Sequence, residues 1–407
     1  MTPTDSAQKV APDPERVQAL IDTLHRFNRI GSPAVEAAFR AVPRHAFLPG
    51  VDLDEAYAPR VVVTKRATDG SALSSASSPV VVAGMLNQLD AQPGNRILEI
   101  GAGTGINAAL LAELTGPSGH VTTIDIDPEV TDGARAGLAA AGYRQVEVIC
   151  ADGALGHSPR APYDRIIVTA GAWDIAPAWW QQLAVGGRLV VPLRLHGSDL
   201  TRSIAFTNHG DRLVSDSVQV CGFIPLIGAA GHAGHRITLG DDLTLSVRAG
   251  GTDDDALRDA MNHPSQREWT GVIVNDNDPI EHLDLWLATI DSDRFARMSA
   301  GPKARENGVA DPARRWGGAA IHDSGTLAYI TRRELDDDTA ELGVIAHGPD
   351  SRCLADRLAR LLHTWDQQRP TQPRITAYPV NAPDDEIAGT VIHKPHSRLV
   401  ISWPSTG

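Results

Sequence analysis

Residues 97–105 read Ile-Leu-Glu-Ile-Gly-Ala-Gly-Thr-Gly. An apolar run closes on an acid, Glu99, and glycines follow at Gly101, Gly103 and Gly105. Such a run suits a buried parallel strand that turns into a helix with its backbone against a ligand, where bulky side chains would block the approach. The spacing is G-x-G-x-G, not the G-x-G-x-x-G of the dinucleotide fingerprint. With Glu99 ahead of the first glycine, it points to S-adenosylmethionine (SAM) more than to NAD. A second apolar stretch ends at Asp125-Ile126, where a carboxylate can accept both ribose hydroxyls of a nucleoside. A third ends at Asp152-Gly153, where a carboxylate can accept from an adenine amino group. For each residue alone the alternatives are a turn that binds nothing and acids that are solvated or cap a helix.

These residues need a sheet to bring them to one edge. The pattern alternates from about residue 80: helix over 79–89, strand over 96–100, helix over 107–114, strand over 120–126, helix over 128–141, strand over 145–150. Strand over 165–169, helix over 179–183 and strand over 187–192 follow. Such alternation predicts βαβ units, a mostly parallel doubly wound sheet, and ligand binding outside the carboxyl ends of its strands. Upstream, apolar positions at Val17, Leu20, Ile21, Leu24 and Phe27 have helix spacing, and Ser32-Pro33 reads as an N-cap followed by proline at N1. After about residue 235 the texture changes. Residues 250–255 and 292–310 read as linkers or loops, 324–333 and 339–347 as paired strands, and 374–380 and 396–403 as further strands. A helix follows Asp350, with Leu354, Leu358, Leu361, Leu362 and Trp365 on one face. The expected division is therefore an α/β domain over 1–235 and an α+β accessory domain over 236–407.

Composition narrows the partners. The 407 residues are 42% hydrophobic and 21% charged, which suits large cores. The formal net charge of −13 argues against broad binding to nucleic acid or anionic membrane. Cys150, Cys221 and Cys353 are far apart and odd in number, so neither a disulfide framework nor a metal site is implied, which fits a reducing cytosol. The first residues lack an apolar signal core, and no apolar stretch is long enough to span a bilayer. His232 with His235, and His393 with His396, have no partnering cysteine or acid pattern and read as loop residues; no metal is expected.

Several segments beyond the glycine turn carry a resemblance. Val42-Pro-Arg-His-Ala-Phe-Leu-Pro49 is similar to the VPRHxFVP segment of the protein-L-isoaspartate O-methyltransferase family, and Leu98 to Gly105 to its LEIGTGSG. Gly142-Tyr143, Asp152-Gly153 and Tyr163-Asp-Arg-Ile-Ile-Val-Thr-Ala170 resemble its GY, GDG and FDRIIVTA. Gly186 to Pro192 resembles GGRLVIP, and Phe223-Ile-Pro-Leu226 resembles FVPL. The likeness covers about residues 15–235. It implies a Rossmann-like methyltransferase fold, SAM as cofactor with S-adenosylhomocysteine (SAH) as product, and a peptide substrate bearing an aspartyl-type carboxylate.

One departure falls on the substrate loop. The family pattern is approximately GQTISxP; here 71–79 read Ser-Ala-Leu-Ser-Ser-Ala-Ser-Ser-Pro. Counting back from Pro79, Ser77 takes the family's active-site serine position, with Ser74, Ser75 and Ser78 as competitors and a helix-capping serine loop as the alternative. Ser77, Ser78 and Thr169 are the catalytic candidates, with Ser77 and the Val168-Thr-Ala-Gly171 turn placed to hold the acceptor carboxylate. The nearby Thr64-Lys65-Arg66 is also unlike the family pattern; these cations suit either an acidic peptide or solvent. A carboxylate is already ionised at neutral pH, so no general base is needed. The enzyme must exclude water, align oxygen with methyl and hold the carboxylate.

The chain also resembles isoaspartyl-methyltransferase homologues that modify ribosomally made peptides, including lanthipeptides and graspetides. That likeness rests on Leu283-Asp-Leu-Trp-Leu-Ala288, Leu327-Ala-Tyr329 and Glu341-Leu-Gly-Val344. It implies methylation of one aspartate in a pre-modified, macrocyclic precursor, the ester then cyclising to a succinimide (aspartimide). Repair of isoaspartate in damaged proteins, and a catalytically dead SAM-fold module, are the competing readings. The C-terminal region then serves peptide recognition, dimerisation or stability, and the oligomeric state stays open.

Overall fold

The computed structural model describes residues 10–228, 234–250, 252–275, 278, 280–314, 317–382 and 389–404. The Asp13 carboxylate accepts from the Arg16 N–H, and the Ser32 hydroxyl from the Val35 N–H. A proline follows each cap, so helices α1 (Pro14–Arg26) and α2 (Pro33–Ala41) begin where the caps place them. After α3 (Leu53–Tyr57), strands β1 (Val62–Arg66) and β2 (Ala72–Ala76) pair as an antiparallel hairpin. The serine segment is thus largely a strand, not the loop its composition suggests.

The βαβ pattern follows as read. Strands β3 (Arg96–Ile100), β4 (His120–Asp125), β5 (Glu147–Cys150) and β6 (Tyr163–Val168) alternate with α4 (Pro79–Leu89), α5 (Ile106–Thr115) and α6 (Pro128–Ala140). After α7 (Pro177–Gln182), strand β7 (Leu183–His196) is parallel to β6 and is followed by antiparallel β8 (Leu200–Asn208) and β9 (Leu213–Val220). The fold is a Rossmann-like, doubly wound sheet. One face buries Leu86, Leu110 and Leu138 from the helices against Ile97, Val121 and Ile167 of the strands.

A second, antiparallel sheet follows, formed by β10 (His235–Gly240), β11 (Leu243–Val247), β12 (Gln266–Asn275), β13 (Phe295–Ala300), β14 (Gly318–Asp323), β15 (Thr326–Glu334) and β16 (Thr339–His347). Three of its helices are α8 (Asp254–Ala260), α9 (Leu283–Ile290) and α10 (Pro302–Glu306). Strand β13 and helix α10 fall inside 292–310, expected as a linker, because Phe295, Ala296, Met298, Ala300 and Ala304 supply a buried face that the polar neighbours hide. After α11 (Ser351–Gln368), strands β17 (Arg374–Pro379), β18 (Thr390–His393) and β19 (Ser397–Ser402) return to the first sheet, whose order is β18-β19-β17-β9-β8-β7-β6-β3-β4-β5. The division expected at 235/236 therefore marks where the second sheet starts, but residues 374–402 extend the first sheet. One buried cluster runs through both, from Leu98 and Ile166 by Phe206 to Trp286, Leu342 and Trp365. No helix among the described residues is long and apolar enough to cross a membrane.

Candidate active site

The parallel register brings the glycine turn and Asp125 to one edge: Glu99 pairs with Thr123, and Asp125 with Cys150. A cleft opens there. The floor is Glu99 to Thr104, with Asp125, Ile126 and Gly153 at one end. Ser74 to Ser78 form one wall, and Thr169, Ala170 and the segment Gly222 to Ile227 close the other side.

Glu99 is fully buried. Its carboxylate accepts from Asn107 Nδ2 at 2.7 Å and Thr123 Oγ1 at 2.6 Å. Burial pushes its pKa up to about 7, the two hydrogen bonds opposing. Asp125 accepts the Gly103 N–H on Oδ2 and the Asp127 N–H on Oδ1, both at 3.2 Å, and its pKa is also raised, by burial foremost. Ile126 lines the cleft beside it, 41% exposed.

The three glycines do different work. Gly101 has φ +99°, and a Cβ there would stand 2.5 Å from Thr169 Oγ1. Gly103, at φ +52°, lets the Ser75 carbonyl come within 3.4 Å of where its Cβ would be. Gly105 lies outside the cleft lining: its φ of +87° and the 3.1 Å from its Cβ position to the Ala134 carbonyl make it the close-packing point of α5 on α6.

Asp152, expected at the adenine, also lies outside the lining. Its Oδ1 accepts from the Ala154 N–H at 2.9 Å, and Gly228 packs against its Oδ2, while Gly153 does line the cleft. Thr169 is in the lining, but its hydroxyl donates to the Gly101 carbonyl at 2.6 Å, with the Ile100 carbonyl at 3.0 Å. It braces the glycine turn, leaving no hydroxyl proton for a substrate.

The serines separate by partner. Ser78 Oγ donates to the Pro59 carbonyl at 2.9 Å, and Ser74 Oγ accepts from Thr64 Oγ1 at 3.3 Å. Ser75 and Ser77 line the cleft, and neither hydroxyl has a hydrogen-bond partner among the described residues; Ser77 differs in what stands behind it. Behind it stands a residue that sequence reading left out of the site. Arg44 is buried and donates Nε to the Ala56 carbonyl at 2.6 Å and an Nη to the Ser77 carbonyl at 3.1 Å. Burial lowers its pKa to about 10, so it stays cationic at neutral pH, with no carboxylate partner among the described residues. Its place in Val-Pro-Arg-His was the available signal. Asn107 was missed too; its signal is a polar residue in the first turn of the helix, directly ahead of the apolar run Ala108 to Ala112.

Lys65 is not available to an acidic peptide: its Nζ donates to Asp127 Oδ2 and Glu129 Oε2, each at 2.6 Å. Arg66 donates to the Gly70 carbonyl. Of the histidine pairs, His232 lies outside the described residues and His235 bonds Asp254 at 2.9 Å. His393 and His396 are exposed.

Asn107 and Thr104 line the cleft, and Asn107 Oδ1 and Thr104 Oγ1 are buried with no hydrogen-bond partner among the described residues. Buried acceptors of this kind suit a ligand that brings N–H and O–H donors. With the G-x-G-x-G turn and Asp125 at the strand edge, fold and cleft define a SAM-dependent methyltransferase. The chain belongs to the protein-L-isoaspartate(D-aspartate) O-methyltransferase family, whose model matches residues 15–231. These are SAM-dependent protein carboxyl methyltransferases. A protein-L-isoaspartate O-methyltransferase of Methanopyrus kandleri is 38% identical over 215 residues, 53% of this chain and 92% of that one. The enzyme of the same name from Methanothrix thermoacetophila is 40% identical over 216 residues, 53% and 97% of the two chains. A solved protein-L-isoaspartate O-methyltransferase is 22% identical and covers 88% of this chain and 96% of its own, with a TM-score of 0.49.

Proposed function

We propose that the protein methylates an aspartyl-type side-chain carboxylate of a polypeptide, with an isoaspartyl residue as its acceptor. One observation carries this reading: a single cleft joins the glycine turn and Asp125 to Ser77, whose hydroxyl, like that of Ser75, has no hydrogen-bond partner among the described residues and whose carbonyl Arg44 holds. Bound SAM would supply an electrophilic sulfonium methyl. Glu99, Asn107 and Asp125 would hold its polar groups, and the Thr169 brace fixes the turn against which it lies. The acceptor carboxylate arrives ionised, so no residue need remove a proton. Ser77 donates a hydrogen bond to one carboxylate oxygen and aims the other at the methyl. Arg44 fixes the Ser77 backbone and adds positive potential from a site where water screens it poorly. The test is incubation with SAM and matched isoaspartyl and aspartyl peptides, scoring base-labile methyl ester on each.

A second reading is favoured by the serine-rich β2, which replaces the family's GQTIS, and by the added sheet over 235–347. In it the acceptor is one aspartate of a ribosomally made, macrocyclic precursor, and the ester closes to an aspartimide with loss of methanol. Net loss of one water from such a precursor, without turnover of generic isoaspartyl peptides, would select this reading. Turnover of generic isoaspartyl peptides alone would select the first.

A further inference from the structure

The β1–β2 hairpin crosses the cofactor end of the cleft. Its Ser75 carbonyl lies 3.4 Å from the Cβ position of Gly103, and Ser74 to Ser78 line the same cleft as Asp125 and Ile126. The hairpin is tied down at both ends of this wall. At one end Arg44 holds the Ser77 carbonyl. At the other, Lys65 of β1 spans to Asp127 and Glu129, at the start of α6. Asp127 belongs to the cofactor side: its N–H donates to Asp125 Oδ1, and its own Oδ1 accepts the Glu129 and Val130 N–H groups as the α6 cap. One ion-pair cluster thus joins the serine wall to the segment that carries the ribose acceptor. Lys65 lies in Thr64-Lys65-Arg66, upstream of the substrate loop and also unlike the family pattern.

We propose that Lys65 is a positioning residue for methyl transfer: it latches the serine hairpin over the bound cofactor, and the latch opens for SAH to leave. This rests on the cofactor cleft assigned above. Lys65 and Asp127 are each more than a quarter exposed and Glu129 is mostly exposed, so the contact is weak enough to break at each turnover. Hydrogen bonding to Asp127 and then Glu129 raises the Lys65 pKa, and Lys65 lowers that of Asp127, so the latch stays charged across the neutral range.

The test is the dissociation rate of SAH, followed by stopped-flow displacement from wild type, Lys65→Met and Lys65→Arg. No methyl acceptor is present, so an error in the acceptor assignment leaves the result interpretable; absence of SAH binding to wild type would instead overturn the cofactor cleft itself. Replacing Asp127 would also remove the α6 cap, so Lys65 is the informative partner. The expected outcome is SAH release about fivefold faster in Lys65→Met, the ceiling for an exposed ion pair, with the wild-type rate restored by Lys65→Arg. Rising salt should accelerate release from wild type and leave Lys65→Met unchanged, as screening removes only a contact that is present. Equal release rates in wild type and Lys65→Met, the same salt response in both, or a Lys65→Arg protein as fast as Lys65→Met, would overturn the latch.

Discussion

In the proposed reaction Ser77 and Glu99 act by opposite means, one through an uncommitted hydroxyl and the other through a buried carboxylate. Ser77→Ala should lower turnover by roughly 10- to 100-fold, the effect of one hydrogen bond to a charged group, while SAH affinity by calorimetry stays at the wild-type value. A fall in affinity instead would place Ser77 with the cofactor. Glu99 has a pKa raised to about 7, above its unfolded value. Its contribution to stability is therefore present at low pH and is lost as pH rises through about 7. A ligand that donates hydrogen bonds prefers the ionised form, so SAH should bind more tightly as pH rises through this range. Calorimetry across pH should show that slope in wild type and a flat profile in Glu99→Gln. Both residues stood out in the sequence, Glu99 by the turn it precedes and Ser77 by its distance from Pro79. Arg44 stood only in the Val-Pro-Arg-His segment, which does not show that its guanidinium is buried against carbonyls.

Among the elements, the glycine turn and the serine hairpin differ in how far the sequence reveals them. The turn was legible because backbone conformation and close approach both require glycine at 101: φ is +99° and Thr169 leaves no room for a Cβ. Gly101→Ala should destabilise by roughly 1–3 kcal/mol, the range for a non-glycine residue held in such strained backbone, seen as a lower urea midpoint at unchanged slope. Gly105→Ala should also destabilise, through α5 against α6, but without a direct loss of cofactor contacts. The hairpin was hidden because five serines and glycine signal a loop. Pairing with Val62 to Arg66 supplies the ladder that the composition does not advertise. Asp152 stands at the strand end its sequence position predicts, with its Oδ1 accepting from the Ala154 N–H.

For the molecule as a whole, the two sheets share one core, and a buried ion pair ties them where the sequence suggested a boundary. Arg202 of β8 donates to Asp284 of α9 and, at 3.2 Å, to His282. Removing one partner strands the other charge in the interior, so Asp284→Ala should cost roughly 3–5 kcal/mol in a single cooperative unfolding transition. Two separate transitions would show that the sheets fold independently. Local patterning predicted the strands but not that β17 to β19 rejoin the first sheet, because that return is decided by pairing with β9 across more than 150 residues of chain. The proposed reaction is esterification of a polypeptide carboxylate in this cleft. Its most direct test is incubation of the protein and its Ser77→Ala variant with methyl-labelled SAM and three acceptors: an isoaspartyl peptide, its aspartyl counterpart and a macrocyclic precursor. Base-labile label is expected on the isoaspartyl peptide with wild type, strongly reduced by Ser77→Ala. Base-stable label, or none on any acceptor by a protein that binds SAH, would contradict it.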